Sequence, residues 1–338
     1  MNVSNKSPFA VERVVLFDRT GAETLVVAVK ATYALAENGQ MSLAGEQAPV
    51  QLVDTFFGEP AVSSLAEECE VGPRKPGTDV VLKGSAKAPR GSVQTMDVTF
   101  TVGSRTKQAR VSGDRTWDTT LGMVHISPAR PFESMPLTWE NAFGGRDTTG
   151  AEPSHHEQEP RNPVGKGFRA RKSKSVVAGS PLPNVEDPRE PFKSAEQRVT
   201  PVGFGFVGRG WEPRLRYAGT YDAAWQESRM PLLPADFDDR FHHAAPAEFI
   251  FPERLQGGEP IQVQGCTRGG SLAFKLPRPE VEAELQFREG REPLDLKLDT
   301  VVVDTDAMQV RLLMKGEANV HRRLLRLSEI RIRSGREA

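Results

Sequence analysis

The stretch VQTMDVTFTV, Val93 to Val102, decides the fold class. Met96, Val98, Phe100 and Val102 fall on one side of a period of two, and Asp97, Thr99 and Thr101 on the other. That alternation is the signature of a strand with one face on a core and one face in water, the usual state of antiparallel sheets. Outward from it, short β-branched or apolar bursts recur at Val11 to Phe17, Thr24 to Leu35 and Asp79 to Leu82. Turn chemistry separates them, at Asn38-Gly39, Pro76-Gly77, Pro89-Arg90-Gly91 and Gly103-Ser104. After Glu259 the bursts return: Ile261 to Cys266, Ser271 to Leu276, Val281 to Phe287, Leu294 to Val303, Gln309 to Lys315 and Leu324 to Ile332. The expectation is a mainly β chain with antiparallel sandwich or open-barrel elements at both ends.

Between the ends lies a different composition. Of 26 prolines in 338 residues, 17 fall from Pro128 to Pro260, where even spacing would put about ten, so regular structure should be sparse there. Residues 1–127, 128–260 and 261–338 are thus read as a β-rich part, a long irregular Pro/Gly-rich insertion with few short helices, and a second β-rich part, joined in one composite body. Within the insertion, Glu152 to Glu159 and the basic run Arg169 to Val177 read as mobile loops. Only Ala223 to Arg229 and Asp236 to His243 have room for a helical turn or two, with Asp236 placed to cap the second.

Composition narrows the function classes. Lys plus Arg number 44 against 45 for Asp plus Glu, a net charge of −1, so no global field draws the chain to nucleic acid or an anionic membrane. Cys69 and Cys266 are too few for a disulfide framework and favour a reducing cytoplasm. No run approaches the 18 or so apolar residues of a spanning helix, and the N-terminal stretch lacks a secretory pattern, so a soluble cytoplasmic chain is expected. Gly203 to Gly208 satisfies G-x-G-x-x-G, but Thr200-Pro201 precedes it and Gly210-Trp211-Glu212-Pro213 follows. A dinucleotide turn needs a strand before and a helix after, so this one reads as a glycine turn carrying aromatics into the core. No nucleophile elbow, Walker A loop, HExxH or CxxC occurs. Asp236, Asp238, Asp239, His242 and His243 are neighbours whose side chains diverge, so capping and Arg pairing are favoured over a metal site; neither metal nor cofactor is expected.

Several words in the chain belong together: Lys75-Pro-Gly-Thr-Asp79 with Ala86-Lys-Ala-Pro89; Gly113-Asp-Arg-Thr-Trp117; Pro131-Phe-Glu-Ser-Met-Pro-Leu137; Ala142-Phe-Gly-Gly145; Asn162-Pro-Val-Gly-Lys-Gly-Phe168; Leu182-Pro-Asn-Val-Glu186; and GTYDAAWQESRMPLLPADFDDRFHHAAPAE from Gly219 to Glu248. In this order they resemble the bacterial family of domain of unknown function 2169, DUF2169, from the N-terminal strands to about Pro277. Beyond that the likeness thins, since Met314-Lys315 stands where a Trp-Arg pair is expected. The resemblance implies a non-enzymatic adaptor or chaperone of type VI secretion, whose partners are a protein effector and the secreted spike.

The residues themselves place the candidate partner site in that last stretch, which concentrates aromatics, charges and prolines without a period. Tyr221, Asp222, Trp225, Arg229, Pro231, Pro234, Asp236, Phe237, Asp238 and Arg240 are its members, because Trp, Tyr and Arg dominate interface hot spots. Trp117, Trp139 and Trp211 are expected in the core, and Trp225 nearer the surface. Lys75, Asp79, Asp114, Arg115 and Trp117 form a secondary set, read as structural pairing between β-elements or as a further partner contact. The rival from another class is a hydrolase or carbohydrate-processing enzyme pairing Asp222 with Asp236 or Asp238; a component of the secreted particle itself is a third reading.

Overall fold

A computed structural model describes residues 1–335. The quoted alternation is realised in the strand Thr95–Val102: Val98, Phe100 and Val102 are buried, while Asp97 is exposed and Thr99 and Thr101 are half-covered. About 41% of the chain is strand and 7% helix, with one α-helix among the described residues, and no sheet closes into a barrel.

Three sheets carry the architecture. The largest, in spatial order, contains Ile250–Phe251, Thr78–Lys83, Lys297–Asp304, Gln309–Asn319, Glu23–Leu35 and Ala10–Phe17, with Met41–Leu43 also paired to Glu23–Leu35. A five-stranded sheet orders Val185–Glu186, Arg105–Ser112, Thr95–Val102, Pro260–Gln264 and Ser271–Lys275. A four-stranded sheet orders Asn2–Lys6, Leu327–Ser334, Val281–Phe287 and Gly290–Leu294. Strands from the two ends of the chain therefore lie side by side within sheets. The sheets are also mixed: Thr78–Lys83 runs parallel to Lys297–Asp304, and Asn2–Lys6 parallel to Leu327–Ser334. The expected run Leu294 to Val303 is cut at Asp295-Leu296, because the chain crosses there from the four-stranded to the largest sheet. An apolar run shows that residues are buried, not which sheet buries them.

One face of the largest sheet holds two cores. Leu312 pairs with Ala31 and Met314 with Val29, so all four share a face. Leu312 packs with Val98, Phe100, Ile261 and Leu272 of the five-stranded sheet, while Met314 and Val29 pack with Leu285, Phe287, Ile330 and Ile332 of the four-stranded sheet. The opposite face is unusual in its chemistry. Asp79, Thr300, Leu313 and Lys30 are successive register partners across four strands, and all four are buried. The irregular segment 44–75 covers this polar face, with Val50 set against Ala28 and Leu313.

Candidate functional site

The buried polar face sets the electrostatics of the region. Charges taken from water must be met by opposite charges and hydrogen bonds, and the acidic run Glu67-Glu68-Cys69-Glu70 supplies them to lysines and arginines from several parts of the chain. Glu70 pairs with Lys30 at 2.9 Å. Glu67 meets both Lys83 and Arg311, the latter at 2.8 Å. Glu68 pairs with Lys75 at 3.0 Å and Arg214 at 2.8 Å. Lys75 continues to Asp79 at 2.8 Å and to the Thr300 hydroxyl at 2.9 Å. Asp79 accepts in addition from His243 Nδ1 at 2.6 Å and from the Ala244 and Ala245 backbone N–H groups at 2.6 and 3.1 Å. Lys75 reaches Asp79 across a tight turn rather than a helix: a Cβ on Gly77 would lie 2.3 Å from the Phe251 carbonyl oxygen, so only glycine fits.

Burial works against the charges of Lys75, Asp79 and Glu68, yet the partners win. Desolvation opposes the Lys75 ammonium, but Asp79, Glu68 and Asp299 hold its pKa above the ordinary lysine range. Desolvation likewise opposes the Asp79 carboxylate, but Lys75 and His243 hold it well below the ordinary aspartate range. Glu68 is held down in the same way by Lys75, Arg214 and Arg209.

On this frame rests the stretch from Gly219 to Ala247. Asp222 caps the helix Ala223–Ser228, accepting from the Trp225 N–H at 2.8 Å. The Trp225 indole donates to Leu232 O at 2.8 Å and meets the Tyr221 ring edge-on at 4.7 Å. Arg229 donates to Leu233 O and to Arg19 O, and Arg19 bridges Asp239 at 2.6 Å, so the loop is tied to the turn after strand Ala10–Phe17. Asp236 accepts from the Thr220 N–H and hydroxyl at 3.0 and 2.7 Å. The capping role expected of Asp236 belongs to Asp238, which caps the 3₁₀ turn Asp239–His242 through the Arg240 N–H. The Asp236 carboxylate is committed to Thr220, which leaves the cap to the residue next to the turn. Asp238 also takes the Arg240 guanidinium, whose hydrogen bonds hold it down at about 2, while Arg240 lies over the Tyr217 ring. Phe237 is buried against Phe241, and Pro234 sits against Gly219. Tyr221 and Met230, the latter just before Pro231, stay 54% and 60% exposed.

The secondary set falls into two places. Lys75 and Asp79 belong to the buried network. Asp114 accepts from Asn184 at 3.1 Å, Arg115 bridges Glu186 at 2.5 Å and donates to Pro183 O, and Trp117 packs with Phe143, Leu182 and Phe192. No hydrogen bond or ion pair joins the two groups among the described residues. Trp139 and Trp211 are also buried, edge-to-face at 5.8 Å, and Trp225 is half-buried. Gly203 lies against the Trp139 ring, where a Cβ would approach to 2.6 Å, and Phe204 and Phe206 enter the core. The basic run Arg169 to Val177 lacks a strand but is tethered: Arg169 donates to Ser175, and Asp147 accepts from the Ala170 N–H.

Sequence reading weighed His243 only beside the acids at Asp236 to Asp239, and it foresaw neither the pairing of His243 with Asp79 nor that of Glu68 with Arg214. The dense Glu67 to Glu70 run was the available signal, since so many acids beside strands need cations from elsewhere. The described residues hold no cluster of three His, Cys, Asp or Glu suited to a metal ion, and no helix among them is long and apolar enough to cross a membrane.

Taken together, this is a mainly β protein whose irregular surface is carried on a buried ion-paired sheet face. The chain belongs to the DUF2169 family, described as an uncharacterized protein conserved in bacteria, whose model matches residues 20–315. The match extends past Pro277 as far as Lys315, which is buried and pairs with Asp299 at 3.4 Å. No curated protein and no solved structure matches the chain.

Proposed function

We propose that this chain is a non-enzymatic cytoplasmic adaptor or chaperone that binds a protein effector of type VI secretion and helps load it onto the secreted spike. The secretion context comes from the family resemblance. The observation that supports a binding role is the surface from Gly219 to Ala247, where internal hydrogen bonds fix the half-buried Trp225, the exposed Tyr221 packs edge-on against its ring, and Met230 is exposed beside them in sequence. Aromatic side chains fixed before binding lose little entropy on association, which is the property of hot-spot anchors.

The carboxylates of Asp222, Asp236 and Asp238 are each engaged, by a helix cap, a threonine and an arginine, and nothing favours a hydrolytic pair. Affinity capture from cells that express the effector tests the proposal. Wild-type chain should retain the effector, and deleting the gene should lower effector secretion while the spike assembles normally. Absence of capture together with unchanged secretion would refute it.

A further inference from the structure

Beside the surface just described lies a pocket of about 320 Å³ walled by Pro76, Pro213, Pro252, Val207, Ile250 and Tyr217. Three polar side chains also line it: Arg214, Arg240 and His243. Arg214 is engaged at all three guanidinium nitrogens, and Arg240 at Nε and Nη2. Arg214 donates to Phe241 O, Val207 O and Glu68, and Arg240 to Asp238. His243 is different. Only 6% of it is exposed, its Nδ1 is bound to Asp79 at 2.6 Å, and its Nε2 has no hydrogen-bond partner among the described residues. Nor is Nε2 among the buried side-chain atoms sealed from solvent without a partner, so it keeps an opening, and the pocket is the space His243 lines.

The tautomer follows from the frame. Asp79 already accepts from Lys75 and two backbone N–H groups, so it is an ionised acceptor and Nδ1 must donate to it. In the neutral ring Nε2 is then a lone acceptor at the end of an apolar pocket. A fitting occupant has a flat apolar body and a single donor at its tip. Tyr and Trp side chains have that chemistry, and when buried they find a partner for the O–H or N–H.

We propose that this pocket is the anchor site for one Tyr or Trp side chain of the protein partner, with His243 Nε2 accepting its hydrogen bond. The identity of the occupant as a partner residue rests on the adaptor reading; the pocket's preference for a donor-tipped ring does not. N-acetyl-tyrosinamide and N-acetyl-phenylalaninamide differ only in the hydroxyl, so they are suitable probes, titrated by NMR on chain carrying ¹⁵N-histidine.

The tyrosine probe should bind about tenfold more tightly than the phenylalanine probe and shift the His243 ring signals. Ala247→Trp, at an exposed pocket-lining position outside the ion network, should abolish binding; the wild-type ring shift serves as the readout should that variant not fold. Equal affinity for the two probes, no binding of either, or binding that survives in folded Ala247→Trp would overturn the assignment. The probes need no effector. Failed effector capture with intact probe preference would therefore count against the adaptor reading and leave the pocket standing.

Discussion

Replacing Lys75 with Met tests whether the buried network holds the sheet face together. The Lys75 side chain is 4% exposed and its ammonium meets Glu68 at 3.0 Å, Asp79 at 2.8 Å and Thr300 at 2.9 Å. Methionine keeps most of the volume and removes the charge, so the main cost is two carboxylates left short of a counter-charge in a buried site. Breaking such a pair costs about 3 to 5 kcal/mol, and for a chain of this length about 4 kcal/mol lowers Tm by roughly 6 °C. Adding Glu68→Gln removes one of the stranded carboxylates, so the double variant should lose less than the sum of the singles, by about 1 to 2 kcal/mol. Denaturant titrations of the four proteins give the cycle. A Lys75→Met chain that melts within about 1 °C of wild type, or strict additivity with Glu68→Gln, would refute the reasoning.

Three further outcomes follow from the geometry. Burial, with Lys315 and Arg214 adding to it against the opposing pull of Asp239, pushes His242 down to about 4. The unfolded chain then takes up a proton near pH 6.5 that the folded chain refuses, so stability should fall from about pH 6.5 to 4 by up to about 3 kcal/mol. His242→Gln should flatten that slope in denaturant melts, and identical slopes would contradict the assignment. Burial, with Asp306 adding to it, pushes the Cys266 thiol up to about 12, whereas Cys69 is partly exposed. Native chain should therefore label rapidly at Cys69 alone, and fast modification of Cys266 in peptide mapping would show that its site opens. Trp225→Ala loses the bond to Leu232 O and the Tyr221 contact, for about 1 to 2 kcal/mol in melting experiments, less than the 3 to 5 kcal/mol of a fully buried tryptophan. A loss of 4 kcal/mol or more would place it in the core.

Local pattern made the strands readable. Val281–Phe287 has the bounds its alternation gives it, and Thr95–Val102 begins two residues later than the burst because Val93 bridges Phe132 instead. Pattern carries no information on which sheet a strand joins, so the crossing at Asp295-Leu296 and the parallel pairs stayed hidden. The candidate surface was legible as a concentration of aromatics and charges, but its support was not. Glu68 and Arg214 lie 146 residues apart, and Asp79 and His243 are separated by 164. A charge in a sequence announces that it needs a partner, not where that partner is. Asp236 and Asp238 show the same limit: both are acids beside a turn, and Thr220, 16 residues away, takes one and leaves the cap to the other.

Affinity of purified effector for Tyr221→Ala chain, measured by calorimetry beside a thermal melt, tests the proposed binding surface most directly. Tyr221 is 54% exposed and makes its ring contact with Trp225, so its removal should change stability by no more than about 0.5 kcal/mol. As an anchor of the partner surface it should cost at least about tenfold in affinity. Unchanged affinity in a normally folded Tyr221→Ala chain would contradict the assignment of this surface to the partner.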